Sequence, residues 1–314
     1  MKITDAADFI KSCDNAFILT HRSPDGDTLG SAFALCRIMR ALGKKAQVLY
    51  DGQLYDKFEY LKENLPDLEF EPRCIIAVDI ADSKLIPAQY QNYSESVDLC
   101  LDHHGSNTGY AKRTYVDEKS AAAGEIIYEL AELLGIIDSD IAKALYTAIA
   151  TDTGCFKFSN TTPKTHRIAA KLMEYDFDFS AVNRAMFESF TRERIKLEQL
   201  LLSSLEYFAD GRGVCMLISK EMMELSGASD DDIEGLAAIP RSIKGVYVGI
   251  TMREKDDGYK LSVRTNPLVN ACSICAEVGG GGHPAAAGGF ISGSLKHAKE
   301  TIIAISEKYI SQVN

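Results

Sequence analysis

No apolar run in this 314-residue chain approaches the length needed to cross a bilayer. Stretches such as Cys74 to Val78 fall far short of the ~20 residues that a spanning helix requires, which excludes a membrane helix. The N-terminus, Met1-Lys2-Ile3-Thr4-Asp5, has no apolar signal-peptide segment, so a cytoplasmic location is expected. Basic charge is also in short supply. Lys and Arg number 34 against 45 Asp and Glu, giving a net charge of −11. A protein that grips long duplex DNA needs an extended basic surface, so that class is excluded, and any attraction for an anionic substrate must be local. Cysteines lack a framework spacing. Of the eight, Cys13, Cys36, Cys74, Cys100, Cys155 and Cys215 sit in apolar stretches, where a thiol behaves as a small core hydrophobe, and no disulfide framework is expected. Cys272 and Cys275 form one Cys-x-x-Cys with neither a second pair nor a nearby His to complete a zinc site, so helix packing at i and i+3 is their expected role. Internal repeats and low-complexity tracts are missing, apart from the glycine run 279–282.

What remains is an ordinary globular composition, 46% hydrophobic and 25% charged, with enough apolar material for two cores. Strands are expected at 16–20, 46–50, 74–78 and 97–101, each ending in a polar loop and separated by helical stretches such as 28–42. This is a βαβ pattern, an α/β domain with a mainly parallel sheet flanked by helices. Helices follow near 121–134, 139–150 and 164–174, the first with Ser120 at its N-cap and Gly135 at its end. The segment 192–208 carries Ile195, Leu197, Leu200, Leu201 and Leu205 at helical spacing and is read as a connecting helix. The expected division is therefore a catalytic domain at 1–190, a connecting helix at 191–208 and a smaller α+β domain at 209–314. The smaller domain has strands at 213–219, 244–254 and 259–265 and a final helix near 295–311. Apolar helix faces leave a homodimer open.

Four segments place Asp or His just after an apolar run, which in an open parallel sheet is the carboxyl edge where ligands bind. The first is His21-Arg22-Ser23-Pro24-Asp25-Gly26-Asp27, a tight turn entering a helix; an isolated Asp-Gly-Asp here would be a turn with Asp27 as N-cap. The second is the strand-end Asp79 after Ile75-Ile76-Ala77-Val78. The third is Asp102-His103-His104 after Leu99-Cys100-Leu101, and the fourth is Asp152 at a helix terminus. Three of only six histidines stand at expected strand ends, which favours one shared site over scattered surface positions. Carboxylates mixed with imidazoles, without converging thiolates, suit hard or borderline divalent ions, with Mn²⁺ favoured over Mg²⁺. So many ligands exceed the needs of one open catalytic ion and point to two divalent metal ions.

In order and residue type, His21-x-x-x-Asp25-x-Asp27, Asp79, Asp102-His103-His104 and Asp152 resemble the four motifs of the DHH phosphoesterase superfamily. The resemblance implies metal ligation by His21, Asp25, Asp27, Asp79, His103 and Asp152, with Asp79 as the bridge. It also implies that His104 faces the scissile phosphate and that Asp102 orients an imidazole or the main chain. Further on, Arg264 precedes Gly279-Gly280-Gly281-Gly282-His283-Pro284-Ala285-Ala286-Ala287-Gly288-Gly289, which resembles the DHH-associated substrate-binding domain. Glycine amides can approach an anion closely, and Arg264 and His283 add charge-assisted hydrogen bonds, so Arg264, Gly280, Gly281, Gly282 and His283 are the substrate-binding candidates.

The two-domain length resembles the nanoRNase and pAp phosphatase group. That likeness implies hydrolysis of short single-stranded oligonucleotides and of a small nucleotide, 3′-phosphoadenosine 5′-phosphate. One alternative is a phosphodiesterase for a cyclic dinucleotide or linear pApA or pGpG. Another, of a different class, is a nucleotide sensor without catalysis.

Overall fold

A computed structural model describes residues 1–233 and 235–313; Glu234 and Asn314, the expected last residue of the smaller domain, lie outside the described residues. The chain divides into two compact units, Met1–Ser189 and Phe190–Asn314. The first contains, in order, α1 (Ile3–Ser12), β1 (Ala16–Leu19), α2 (Gly26–Ala41), β2 (Ala46–Leu49), β3 (Cys74–Val78), β4 (Leu99–Asp102), β5 (Thr114–Val116), α3 (Ala123–Leu134), α4 (Ser139–Asp152), α5 (Pro163–Leu172) and α6 (Phe179–Phe187). Its strands form one sheet in the order β2-β1-β3-β4-β5, and every pairing is parallel. Both faces are covered, which is why the strands read as unbroken apolar runs rather than alternating ones. In β3 the side chains of Cys74, Ile76 and Val78 join the core shared with the helices, while Ile75 and Ala77 join a second core with Leu19, Ile80 and Ile86.

Helix α2 is buried without a break from Gly26 to Met39 and lies against α4. Small residues permit that approach. A Cβ at Gly30 would sit 2.5 Å from the Ala144 carbonyl oxygen and 2.9 Å from the Ala148 nitrogen. Gly30→Ala gains about 1 kcal/mol of helix propensity, but the clash is with backbone and no rotamer relieves it. The variant should lose about 1–3 kcal/mol of stability, seen as a lower urea midpoint at an unchanged m value. An unchanged midpoint would mean that the α2–α4 contact yields to an added methyl group.

Some elements differ from the sequence reading. The N-cap of α2 is Asp25, whose carboxylate accepts from the Asp27 and Thr28 amides, so Asp27 is freed from that role. Helix α3 begins after Ala122, not Ser120, and Gly135 closes it in the left-handed conformation. Strand β5 escaped notice because it is three half-buried residues at a sheet edge. The reading of Cys13 and Cys74 as free core thiols is corrected: the other six cysteines are unbridged, while Cys13, which follows α1, is joined to Cys74, the first residue of β3. Their 61-residue separation carries no local signal; the packing of α1 beside the sheet brings the Cα atoms to 6.4 Å.

The second unit contains α7 (Arg192–Ser203), β6 (Glu206–Phe208), β7 (Gly213–Ile218), α8 (Lys220–Ser226), α9 (Ile239–Ser242), β8 (Val248–Glu254), β9 (Gly258–Thr265), α10 (Ala271–Ala276), β10 (Gly281–His283), β11 (Ala286–Ser292) and α11 (Leu295–Ile310). Its mixed sheet runs β10-β11-β9-β8-β7-β6, with only the β7–β8 pairing parallel among the described strands. Leu197 and Leu201 of α7 are buried in a cluster with Met216, Ile218 and Leu236 of the same unit. Cys272 and Cys275 are unbridged on α10, with Cys275 buried. Among the described residues no helix is long and apolar enough to cross a membrane.

Candidate metal centre

Because β1, β3 and β4 are parallel neighbours, their carboxyl ends lie side by side along one edge of the sheet. That edge carries His21 after β1, Asp79 directly after β3, and Asp102, His103 and His104 at and after the end of β4. The start of α2 adds Asp25 and Asp27, and the end of α4 adds Asp152. Gly26 lets these two helix ends meet, since a Cβ there would fall 2.4 Å from the Thr151 side chain. Asp79 occupies the left-handed region at φ 59°, a conformation that Asp tolerates better than most residues and that turns the chain at the strand end.

Among the described residues, ligand-capable atoms gather in three overlapping sets: His21, Asp25 and Asp79; Asp27, His103 and Asp152; and Asp79, His103 and His104. His21 Nε2 is 3.8 Å from both Asp25 Oδ1 and Asp79 Oδ2. His103 Nε2 is 3.7 Å from Asp27 Oδ2, 3.5 Å from Asp79 Oδ1 and 3.8 Å from Asp152 Oδ2. These spacings are long for hydrogen bonds. They are close to the roughly 3–3.5 Å between two ligands that each sit about 2.1 Å from one ion. The two oxygens of Asp79 address different sets, Oδ2 towards His21 and Oδ1 towards His103.

The donor set fits divalent cations. Asp79 Oδ1 is buried and accepts no hydrogen bond, a costly condition for a carboxylate unless a cation partners it. Burial first, then the charges of Asp152 and Asp25, hold the Asp27 carboxyl well above the ordinary range. Asp79 is raised in the same way, by burial and then by Asp27 and Asp25. Burial also raises Asp152. His103 points a free Nε2 into this group, because its Nδ1 lies 3.2 Å from the Ser120 carbonyl oxygen and donates to it, fixing the tautomer.

Asp102 stands apart from the cluster, although fully buried. Its Oδ1 accepts from the His103 amide at 2.8 Å, the His104 amide at 3.2 Å and His104 Nδ1 at 2.8 Å. Asn107, not singled out from the sequence, donates to Asp102 Oδ2 at 2.6 Å. The His104 bond to Asp102 raises the imidazole pKa and uses Nδ1, so the 3.5 Å approach of that atom to Asp79 is no ligand position. Nε2 is the free face of His104.

Residues 15–149 match the model of the DHH family, N-terminal domain, and residues 217–312 match that of the DHHA1 domain. A bifunctional oligoribonuclease and PAP phosphatase NrnA from Thermus thermophilus is 31% identical over 310 residues, covering 96% of this chain and 92% of that protein. The chain belongs to the DHH family. The corresponding NrnA of Bacillus subtilis is 27% identical over 286 residues, 88% of this chain and 90% of that protein. The crystal structure of an exopolyphosphatase-related protein from Bacteroides fragilis shares the fold with a TM-score of 0.90 at 23% identity, covering 99% of this chain and 97% of that one.

In the DHHA1 domain of this DHH protein, the four-glycine run is not a free loop. Gly281 and Gly282 belong to edge strand β10, and a Cβ at Gly280 would meet the Gly288 carbonyl oxygen at 2.2 Å, so the glycines let two backbones approach closely. Cross-strand pairing puts exposed His283 opposite Ala286, Ala286 opposite Arg264, and Arg264 opposite Gly249. Directly paired residues share a sheet face, so His283 and Arg264 lie in one row. Over Gly249 packs helix α9, whose Arg241 amide nitrogen would be 2.7 Å from a Cβ at Gly249. Burial and the Arg241 charge lower the pKa of Arg264, whose guanidinium donates to the Val263 carbonyl oxygen. Arg241 lies 23 residues before Arg264, and only the packing of α9 against β8 relates them, so no sequence motif announced it.

Proposed function

We propose that this chain hydrolyses short single-stranded oligoribonucleotides and 3′-phosphoadenosine 5′-phosphate, with two Mn²⁺ ions held at the sheet edge. The activity named for the Thermus thermophilus and Bacillus subtilis relatives supports this reading. The observation that carries it is the pair of Asp79 oxygens, each facing a separate group of ligands. His21, Asp25 and Asp79 would hold one ion; Asp27, His103, Asp152 and Asp79 would hold the other. Four carboxylates against two neutral imidazoles carry four negative charges, which two divalent ions balance. Such ions, when bound, supply Lewis acidity towards a phosphoryl oxygen and acidify water.

The rest of the work falls to the chain itself. Asp102, held by Asn107, fixes the His104 ring and favours its protonated form, so His104 Nε2 is placed to donate to a phosphate oxygen as charge builds there. In the DHHA1 domain, Arg264 and His283 supply positive charge, and Gly281 leaves the edge backbone open to a nucleotide phosphate, whereas Gly280 and Gly282 are used in close packing against β11.

Purified protein with Mn²⁺ should release product from pAp and from two- to five-residue oligoribonucleotides. It should be slow on pyrophosphate and long chains. Cyclic di-AMP and pApA in the same panel address the dinucleotide alternative. Nucleotide binding without product would overturn the hydrolase reading in favour of a sensor. Arg264→Ala should raise KM for dinucleotides by roughly ten-fold or more with kcat largely kept, the pattern of lost uniform binding. An unchanged KM would remove Arg264 from the substrate site.

A further inference from the structure

One short segment, residues 120–124, touches two candidate ligands directly through its backbone and reaches a third through the Asn160 side chain. The Ser120 carbonyl oxygen accepts from His103 Nδ1 at 3.2 Å. The Ala123 and Gly124 amides donate to Asp27 Oδ2 at 2.7 Å and Oδ1 at 2.9 Å. The Ala121 carbonyl oxygen accepts from Asn160 Nδ2 at 2.9 Å, and the same nitrogen lies 3.1 Å from the Asp152 carbonyl oxygen and 3.3 Å from Asp152 Oδ2. These three ligands, Asp27, His103 and Asp152, form one complete candidate set. Two members of the other set are held elsewhere: Asp25 caps its own helix, and Asp79 hangs from the Leu101 carbonyl oxygen through its amide.

The segment is built for rigidity. Residues 120–124 are all buried. Ala122, the N-cap of α3, has no side chain able to cap, so Asp27 caps α3 from 96 residues away. A Cβ at Gly124 would lie 2.6 Å from Ala148 Cβ and 3.5 Å from Asp27 Oδ1, so a side chain there would force α3 and the carboxylate apart. From behind, Lys164 Nζ reaches Glu129 Oε1 at 2.6 Å, Ser120 Oγ at 3.2 Å, and Asp117 and Glu125 each at 3.6 Å. Glu125 is fully buried and accepts from Thr165 Oγ1 at 2.6 Å.

We infer that residues 120–124, with Asn160 and Lys164, form a positioning device that sets the geometry of the Asp27–His103–Asp152 ion site alone. Asn160 and Lys164 are positioning residues: they act through the ligands and touch neither ion nor substrate. The inference rests on the two-ion reading above. Removing Asn160 releases the Asp152 carboxylate from the segment, while His21, Asp25 and Asp79 keep their contacts.

Mn²⁺ titration of the full-length chain, followed by calorimetry and by electron paramagnetic resonance counting of bound ion, tests this directly. Wild-type protein should bind two Mn²⁺. Asn160→Ala should weaken one site by about 10–100-fold, the usual cost of losing an outer partner of a ligand, and leave the other site unchanged. Lys164→Gln should act the same way and Lys164→Arg should restore binding, which keeps the test decisive if the Asn160 variant folds poorly. Two sites of unaltered affinity in Asn160→Ala and Lys164→Gln would overturn the inference, as would equal weakening of both sites in folded protein. A wild type that binds fewer than two ions would instead remove the two-ion reading, and this inference with it.

Discussion

Asp79→Asn should fold, melt at a higher temperature than wild type when metal is absent, and lose Mn²⁺-dependent hydrolysis by on the order of 10²–10³-fold or more. The opposite signs have one cause. In the metal-free chain the Asp79 carboxylate is buried among Asp27, Asp25, Asp102 and Asp152 with an unpartnered oxygen, so its charge is a burden on the fold. Asparagine removes that charge, is nearly isosteric and tolerates φ 59°. The gain should appear as several degrees in Tm, given roughly 2–4 °C per kcal/mol for a domain of this size. Asparagine also loses the anionic oxygens that face His21 on one side and His103 on the other. Near-normal turnover in this variant would eliminate the proposed bridge. A lower metal-free Tm would show that Asp79 supports the fold by another route.

Stripping divalent ions with a chelator should abolish turnover and also reverse the way the centre responds to pH. Asp27 and Asp79 have folded-state pKa values raised above the unfolded value of 3.8, by burial first and like charges second. A raised carboxyl favours the folded state fully below the unfolded value, and that contribution is lost as pH climbs through the folded one. Metal-free protein should therefore lose this stabilisation on going from about pH 4 towards neutrality. Asp102 acts oppositely, because its bonds to His104 and Asn107 outweigh burial and lower its pKa; its contribution is lost only as pH falls through the acid range. Divalent ions bind the deprotonated ligands, so the Tm increment from saturating Mn²⁺ should grow as pH rises across the same window. At 100 times the dissociation constant the increment corresponds to about 2.7 kcal/mol. Thermal melts with and without Mn²⁺ at stepped pH give the answer. A pH-independent increment would mean that the cluster is not titrating as ligands.

The strands of the first unit were legible because burial on both faces writes a continuous apolar run, as in 74–78, with a polar residue marking where the sheet stops. The candidate ligands were legible for the same reason, since Asp79 and Asp102-His103-His104 each follow such a run. Edge elements were not legible. Strands β5 and β10 are three residues each and exposed or half-exposed, so hydrophobic patterning barely acts on them. Nor could the Cys13–Cys74 pair, the capping of α3 by Asp27, or the tie from Asn160 to Asp152 be read, for each joins positions whose neighbours carry no distinguishing pattern.

The amino-acid order alone determined which side chains stand at strand ends and helix ends, because local periodicity and turn chemistry are short-range effects. It thereby determined the kinds of groups available: carboxylate oxygens, imidazole nitrogens, the Arg264 guanidinium and a run of glycines. The tertiary fold decided how those atoms combine. Parallel alignment of β1, β3 and β4 sets His21, Asp79 and His103 side by side. The approach of α2 to α4 delivers Asp152, and the backbone at 120–124 holds Asp27 and His103 directly and Asp152 by way of Asn160. Such backbone hydrogen bonds depend on where the chain passes and not on which side chain it bears, so they leave no trace in the sequence.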